Sequence, residues 1–180
     1  MKEILYNYNN LKEEDINEVV VRTKALIVNS KDEIMLGYCN KTYHFPGGHL
    51  EENETLEECL VREIKEETGI EISNKNLIPF QKITHYNKNY HNSGKNRKNE
   101  IYYFIVHSDE TFNINNTNLD KREIEGNFCI KVIPLIDVEK ILLNSVKDNE
   151  INKIIVEEML EALSEYKKIK YRRWIYGSKK

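Results

Sequence analysis

GHLEENETLEECLVREIKEETGI, residues 48–70, decides how this chain is read. Thr55 and Glu58 form a capping box before an apolar run, and Gly69 sits where a left-handed C-terminal cap belongs, so the segment predicts a helix over Thr55 to Thr68. At 100° per residue, Leu56, Leu60 and Ile64 make an apolar stripe suited to packing on a sheet. Glu63, Glu66 and Glu67 stand at i, i+3 and i+4 and share one sector beside it, Glu67 nearest the apolar face and Glu66 furthest. That arrangement costs stability locally. Like charges one turn apart repel by a few tenths of a kcal/mol per pair, and the helix dipole disfavours anions at this end by about 0.3–1 kcal/mol. A hard divalent cation would resolve the conflict, since Mg²⁺ takes carboxylate oxygens and keeps positions for water and phosphate. An exposed amphipathic helix in which Arg62 and Lys65 partly neutralise the glutamates is the plainer reading of the same residues.

Outward from this helix the pattern is mixed. Val19 to Asn29 is rich in β-branched residues, and Ser30-Lys31-Asp32 offers a turn before Glu33 to Tyr38, which predicts a hairpin. Tyr43 to Gly48 predicts a loop, because Pro46, Gly47 and Gly48 break both regular structures. Leu77 to Tyr86, Glu100 to Ser108 and Phe128 to Ile133 read as strands, and Asn113 to Asn118 as irregular. A helix around Asp137 to Leu143 and a longer one from Ile151 to about Tyr166 follow. The expectation is an α/β protein of one domain over residues 1–180, with a C-terminal helix at about 151–166 and a basic aromatic tail at about 167–180.

Composition narrows the function classes. The net charge of −3 on 180 residues argues against a general nucleic-acid binder. The longest apolar run, Ile101 to Val106, has six residues, far short of a membrane span, and no leader is evident, so a cytoplasmic location is expected. Three cysteines, Cys39, Cys59 and Cys129, fit neither a disulfide framework nor a zinc site. The charge is unevenly spread. Residues 48–70 hold eight acids and two bases, a local −6, so the remaining 157 residues carry +3. Residues 87–99 hold four bases and residues 166–180 seven, neither with an acid. An anionic patch with basic segments elsewhere suits a metal-bridged phosphate site.

Gly48, Glu54, then Arg62-Glu63-Ile64-Lys65-Glu66-Glu67-Thr68-Gly69-Ile70, led in by Phe45-Pro46-Gly47, resembles the Nudix box at every fixed position. The resemblance is strict over residues 45–70 and looser beyond. It implies the Nudix fold, an α/β/α sandwich around a mixed β-sheet, and hydrolysis of a nucleoside diphosphate linked to another moiety. It also implies that Glu63, Glu66 and Glu67 hold Mg²⁺ or Mn²⁺, with Glu63 and Glu66 catalytic, and that Glu54, Arg62 and Gly69 are structural. Glu125 is the expected loop ligand or base, with Glu123 beside it and Glu100 as a further choice. Gly47 and Gly48 are expected to meet substrate, and Tyr86 to stack on a base, as tyrosines do in relatives acting on dinucleoside polyphosphates. His44 and His49 flank the glycine loop and could reach phosphate. The expected partner is a small nucleotide, with no membrane and a monomer or homodimer. An RNA 5′-end pyrophosphohydrolase, hinted at by the tail, and a non-catalytic nucleotide sensor are the alternatives.

Overall fold

The computed structural model describes residues 1–148 and 152–177. Their backbone contacts divide into two compact units, each with its own part of a mixed α/β fold.

The first unit takes in Met1–Leu26, Pro46–Val106 and Thr111–Asn118. It holds β1 (Lys2–Tyr6), most of β2 (Glu18–Val28), α1 (Leu56–Thr68), β5 (Leu77–Asn87) and β6 (Arg97–His107). Its strands run in the order β1-β5-β6-β2, with β1 parallel to β5 and β5 antiparallel to β6. The pair β5–β6 shifts register between Pro79 and Gln81, as a proline that cannot donate to the ladder would require. Helix α1 is the predicted one, capped as its sequence demands. Glu58 N–H donates to Thr55 Oγ1 at 3.2 Å and Thr55 N–H to Glu58 Oε2 at 2.8 Å. Leu60 and Ile64 are fully buried, as is Cys59, whose sulfur receives the Thr23 hydroxyl of β2 at 3.3 Å.

At its other end α1 stops at Gly69, with φ +69°. The carbonyls left open there are met by the 111–118 segment: Asn113 N–H donates to Thr68 O at 3.0 Å and Asn118 N–H to Glu66 O at 2.8 Å. The irregular Asn-rich stretch, with one 3₁₀ turn at Ile114–Asn116, therefore closes the helix that carries the carboxylates.

The second unit contains Ile27–Phe45, His107–Glu110 and the described residues from Leu119 on. Here β3 (Glu33–Cys39) receives the end of β2 and pairs antiparallel with β4 (Thr42–His44) and β7 (Cys129–Pro134). Helices α3 (Leu135–Asp148) and α4 (Lys153–Gly177) follow and pack on each other, with Val138 and Leu142 of α3 and Val156, Met159 and Leu163 of α4 buried.

Several elements depart from the sequence reading. Strand β4 opens the stretch expected to be all loop, because Thr42–His44 can pair with β3 before Pro46 intervenes. Strand β6 starts three residues earlier than expected, so Arg97 to Asn99 of the basic Asn-rich loop are strand. Helix α3 is longer than expected, and α4 runs to Gly177, taking in most of the segment set apart as a tail. Ion pairs hold that extension: Lys167 meets Glu139 at 3.1 Å, and Lys170 meets Asp32 in the β2–β3 turn. Tyr166 is buried and Tyr171 exposed. Ile151 and residues 178–180 lie outside the described residues. No helix among those described is long and apolar enough to cross a membrane.

A Cβ at position 69 would lie 2.1 Å from Asn113 O, in a backbone conformation that side chains rarely adopt. Gly69→Ala should therefore cost about 1–3 kcal/mol, read as a drop in melting temperature, with a shift within experimental error counting against this account of the cap.

Candidate active site

The site lies within the first unit and is organised by Arg62. Its guanidinium has five N–H donors in a planar fork, and five oxygens meet them. Nε donates to Glu54 Oε1 at 2.6 Å, and Nη2 to Glu54 Oε2 at 3.0 Å and to His49 O at 3.1 Å. Nη1 serves Glu63 Oε1 at 2.8 Å and Glu66 Oε2 at 3.1 Å. Glu51 stands 3.9 Å from Nη2. The two-pronged hold on Glu54 ties the loop carboxylate to the helix. Arg62 keeps the Glu54 carboxyl below the usual range, and Glu54 in turn raises the guanidinium.

The three helix glutamates occupy three environments. Glu66 is the most exposed, with a third of its side chain open, and Glu67 is buried at 5% exposure, which is the order the helical angles predicted. Glu67 Oε2 accepts the Gly47 N–H at 3.0 Å. Glu63 lies against Gly48, where an added Cβ would meet its carboxylate at 2.3–2.5 Å. Burial pushes the Glu63 carboxyl upward, opposed by the hydrogen bond from Arg62 and by the charges of Arg62 and Lys24.

The glycine loop is stitched to β2. Ala25 N–H donates to Pro46 O at 2.8 Å and Thr23 N–H to Gly48 O at 3.0 Å. Gly47 has φ +127°, and a Cβ there would strike Thr23 O at 2.2 Å, so only glycine fits between strand and carboxylates. On β2 itself, Lys24 Nζ donates to Gly47 O. Sequence reasoning missed this lysine. Its one signal is a long polar side chain directly before the buried run Ala25 to Val28.

Three hard carboxylates beside a side-chain-free cradle make a donor set suited to Mg²⁺ or Mn²⁺. In this structure their oxygens are taken up by Arg62 and the Gly47 N–H. Among the described residues no group of three His, Cys, Asp or Glu side chains is gathered tightly enough to form a ready metal cage.

Other expected site residues sit elsewhere. Glu125 belongs to the second unit, at the end of the short helix α2 (Lys121–Glu125), exposed and 3.7 Å from Lys121 Nζ. Glu123 caps the start of that helix, accepting Asp120 N–H at 2.6 Å. In the first unit, Glu100 is paired with Lys82 at 2.8 Å and Lys98 at 3.3 Å. Tyr86 donates its hydroxyl to Glu13, with Lys98 6.0 Å from the ring centroid, so it helps tie the N-terminal segment to the sheet. His49 accepts from Arg22 Nε at 3.0 Å, and His44, in the second unit, stands 5.7 Å from Phe128.

The sequence profile of the NUDIX domain matches residues 19–155, well over half of the chain. The chain belongs to the NUDIX domain family. The box that names such domains spans the loop and helix just described. An 8-oxo-dGTP diphosphatase of Proteus vulgaris is 50% identical over 36 residues, 20% of this chain and 32% of that protein, so the match spans about a third of that relative. Among solved structures, one from a study of MutT of Aliivibrio salmonicida and Vibrio cholerae is 21% identical, covering 77% of this chain and 96% of its own, at a TM-score of 0.46. MutT of Bacillus halodurans is 21% identical, covering 67% and 72%, at 0.49.

Two outcomes follow for this NUDIX site. Arg62→Ala strands Glu54 and should lower stability by about 1–3 kcal/mol, seen as a melting-temperature drop of roughly 3–10 °C. An unmoved melt would show that Arg62 is no structural tie. Glu63→Gln acts in the opposite direction. Burial holds the folded carboxyl above its unfolded value, so ionised Glu63 weakens the fold at neutral pH, and the penalty fades as falling pH protonates both states. Without metal, the variant should melt at or above wild type at pH 7, with the gap closing below about pH 4.

Proposed function

We propose that this NUDIX protein is a pyrophosphohydrolase that uses Mg²⁺ or Mn²⁺ to cleave a nucleoside diphosphate linked to another moiety. The observation that carries the reading is the set Glu63, Glu66 and Glu67, the first two held by Arg62 and the third by the Gly47 N–H of the glycine loop. A bound divalent ion held by these carboxylates supplies charge neutralisation at the phosphate oxygens and lowers the proton affinity of water. The remaining work falls to the chain. Glu67, anchored by the Gly47 N–H, and Glu66, the most open of the three, present the oxygen donors. Glu63, with a carboxyl already pushed upward, is suited to receive the proton of the attacking water as its oxygen bonds to phosphorus and the bond to the leaving phosphate breaks. Gly47 and Gly48 keep the loop backbone against β2 and the carboxylates, where the phosphates of the substrate would meet it.

Among substrates, a nucleoside triphosphate is favoured by the half-identical segment shared with the Proteus 8-oxo-dGTP diphosphatase. The Tyr86 ring remains a candidate to stack on a base, with its hydroxyl held by Glu13. The intact carboxylate set argues for turnover over sensing.

Purified protein with Mg²⁺ or Mn²⁺ should release pyrophosphate or phosphate from a nucleoside triphosphate faster than from dinucleoside polyphosphates, sugar nucleotides or 5′-triphosphate RNA. Glu66→Gln and Glu67→Gln should each reduce that turnover by about 10²-fold or more, the scale of losing one preorganised charge-stabilising group. Near-wild-type rates in both variants would sink the proposed site.

A further inference from the structure

Lys24 has no role in the reading above, yet it is placed where it must affect the site. Its neighbours on β2, Thr23 and Ala25, are fully buried, while Lys24 is half-buried and reaches the glycine loop. Its ammonium donates to the Gly47 carbonyl, and the N–H of the same residue is held by Glu67. The next residue, Gly48, lies against the Glu63 carboxylate. Lys24 is also near enough for its charge to bear on Glu63. Among the described residues its hydrogen bond is to a neutral carbonyl, with no carboxylate taking the ammonium as a close partner.

The local charges explain why an ammonium belongs there. Glu51, Glu54, Glu63, Glu66 and Glu67 bring five negative charges, and Arg62, with all five donors engaged, offsets one. Lys24 offsets a second, leaving a site still negative enough to draw a divalent ion. Lysine suits such a duty: a compact charge on a flexible four-carbon stem can change partners at little cost, which the fixed guanidinium cannot.

We infer that Lys24 is the resident counter-cation of the carboxylate site, withdrawing from the Gly47 carbonyl when a divalent ion binds and then meeting a phosphate of the substrate. This rests on the divalent-ion reading of the site. An ammonium and a divalent ion drawn to the same carboxylates compete, so the lysine weakens metal binding in the empty enzyme. Once the substrate's phosphates bring further negative charge, both cations are accommodated.

The test is Mn²⁺ titration at low ionic strength, followed by the paramagnetic resonance signal of the free ion. Wild type is compared with Lys24→Met, Lys24→Arg and Lys24→Gln, the last keeping a donor for Gly47 without the charge. Lys24→Met and Lys24→Gln should bind Mn²⁺ about three- to tenfold more tightly, as expected for removing one unit charge at a few ångströms through water. The gain should shrink as salt screens it, and Lys24→Arg should stay near wild type. With saturating metal and a nucleoside triphosphate, the two neutral variants should raise KM more than they lower kcat. Unchanged or weaker Mn²⁺ binding in both neutral variants overturns the counter-cation role while leaving the metal site intact. A wild type that binds no Mn²⁺ overturns the metal reading and this inference together.

Discussion

One guanidinium governs the active-site side of this protein. Arg62 emerges from the middle of α1 and spends every donor it has: on the loop carboxylate that precedes the helix, on a backbone carbonyl of that loop, and on two glutamates of its own helix. An exposed lysine–glutamate pair contributes little to stability. Here the arrangement is half-buried and forked, with geometry set by the planar donor group, so it positions as well as stabilises. Without it, the eight acids of residues 48–70 would be offset by Lys65 alone, a local net of −7.

The glycines follow from the same constraint. Carboxylates crowded under a loop need room, and each glycine supplies it at a different place. Gly47 passes under β2, Gly48 leaves space for Glu63, and Gly69 lets the chain turn out of the helix beneath Asn113. A side chain at any of these positions would push backbone or carboxylate away from where Arg62 holds it.

Local signals in the sequence were strong around this centre and weaker elsewhere. The Thr55–Glu58 box, the Leu60–Ile64 stripe and the Gly69 cap are all adjacent-residue physics, and α1 appears as they dictate. The β2–β3 hairpin is legible for the same reason. What escaped the sequence depends on partners far along the chain. Lys2–Tyr6 is a strand only because β5 lies beside it, and Thr42–His44 only because β3 does. Lys167 and Lys170 read as a loose basic tail until Glu139 and Asp32 are placed opposite them. Lys24 looked like one polar residue among many, because its significance rests on Gly47, 23 positions away. Which glutamate is most sheltered, by contrast, was already set by helical angle.

The parallel pairing of β1 with β5 has a consequence for how the protein is made. Ile4 finds Ile83, and Tyr6 stacks on His85 with ring centroids 4.9 Å apart. Strand β1 must therefore wait for nearly eighty further residues of synthesis before its partner exists. Closing so long a loop is paid for in chain entropy before any ladder hydrogen bond forms, which slows folding. Meanwhile α1 and the β2–β3 hairpin can form from neighbouring residues alone. Strand β1, though made well before β5, is expected to be among the last pieces of its sheet to lock into place.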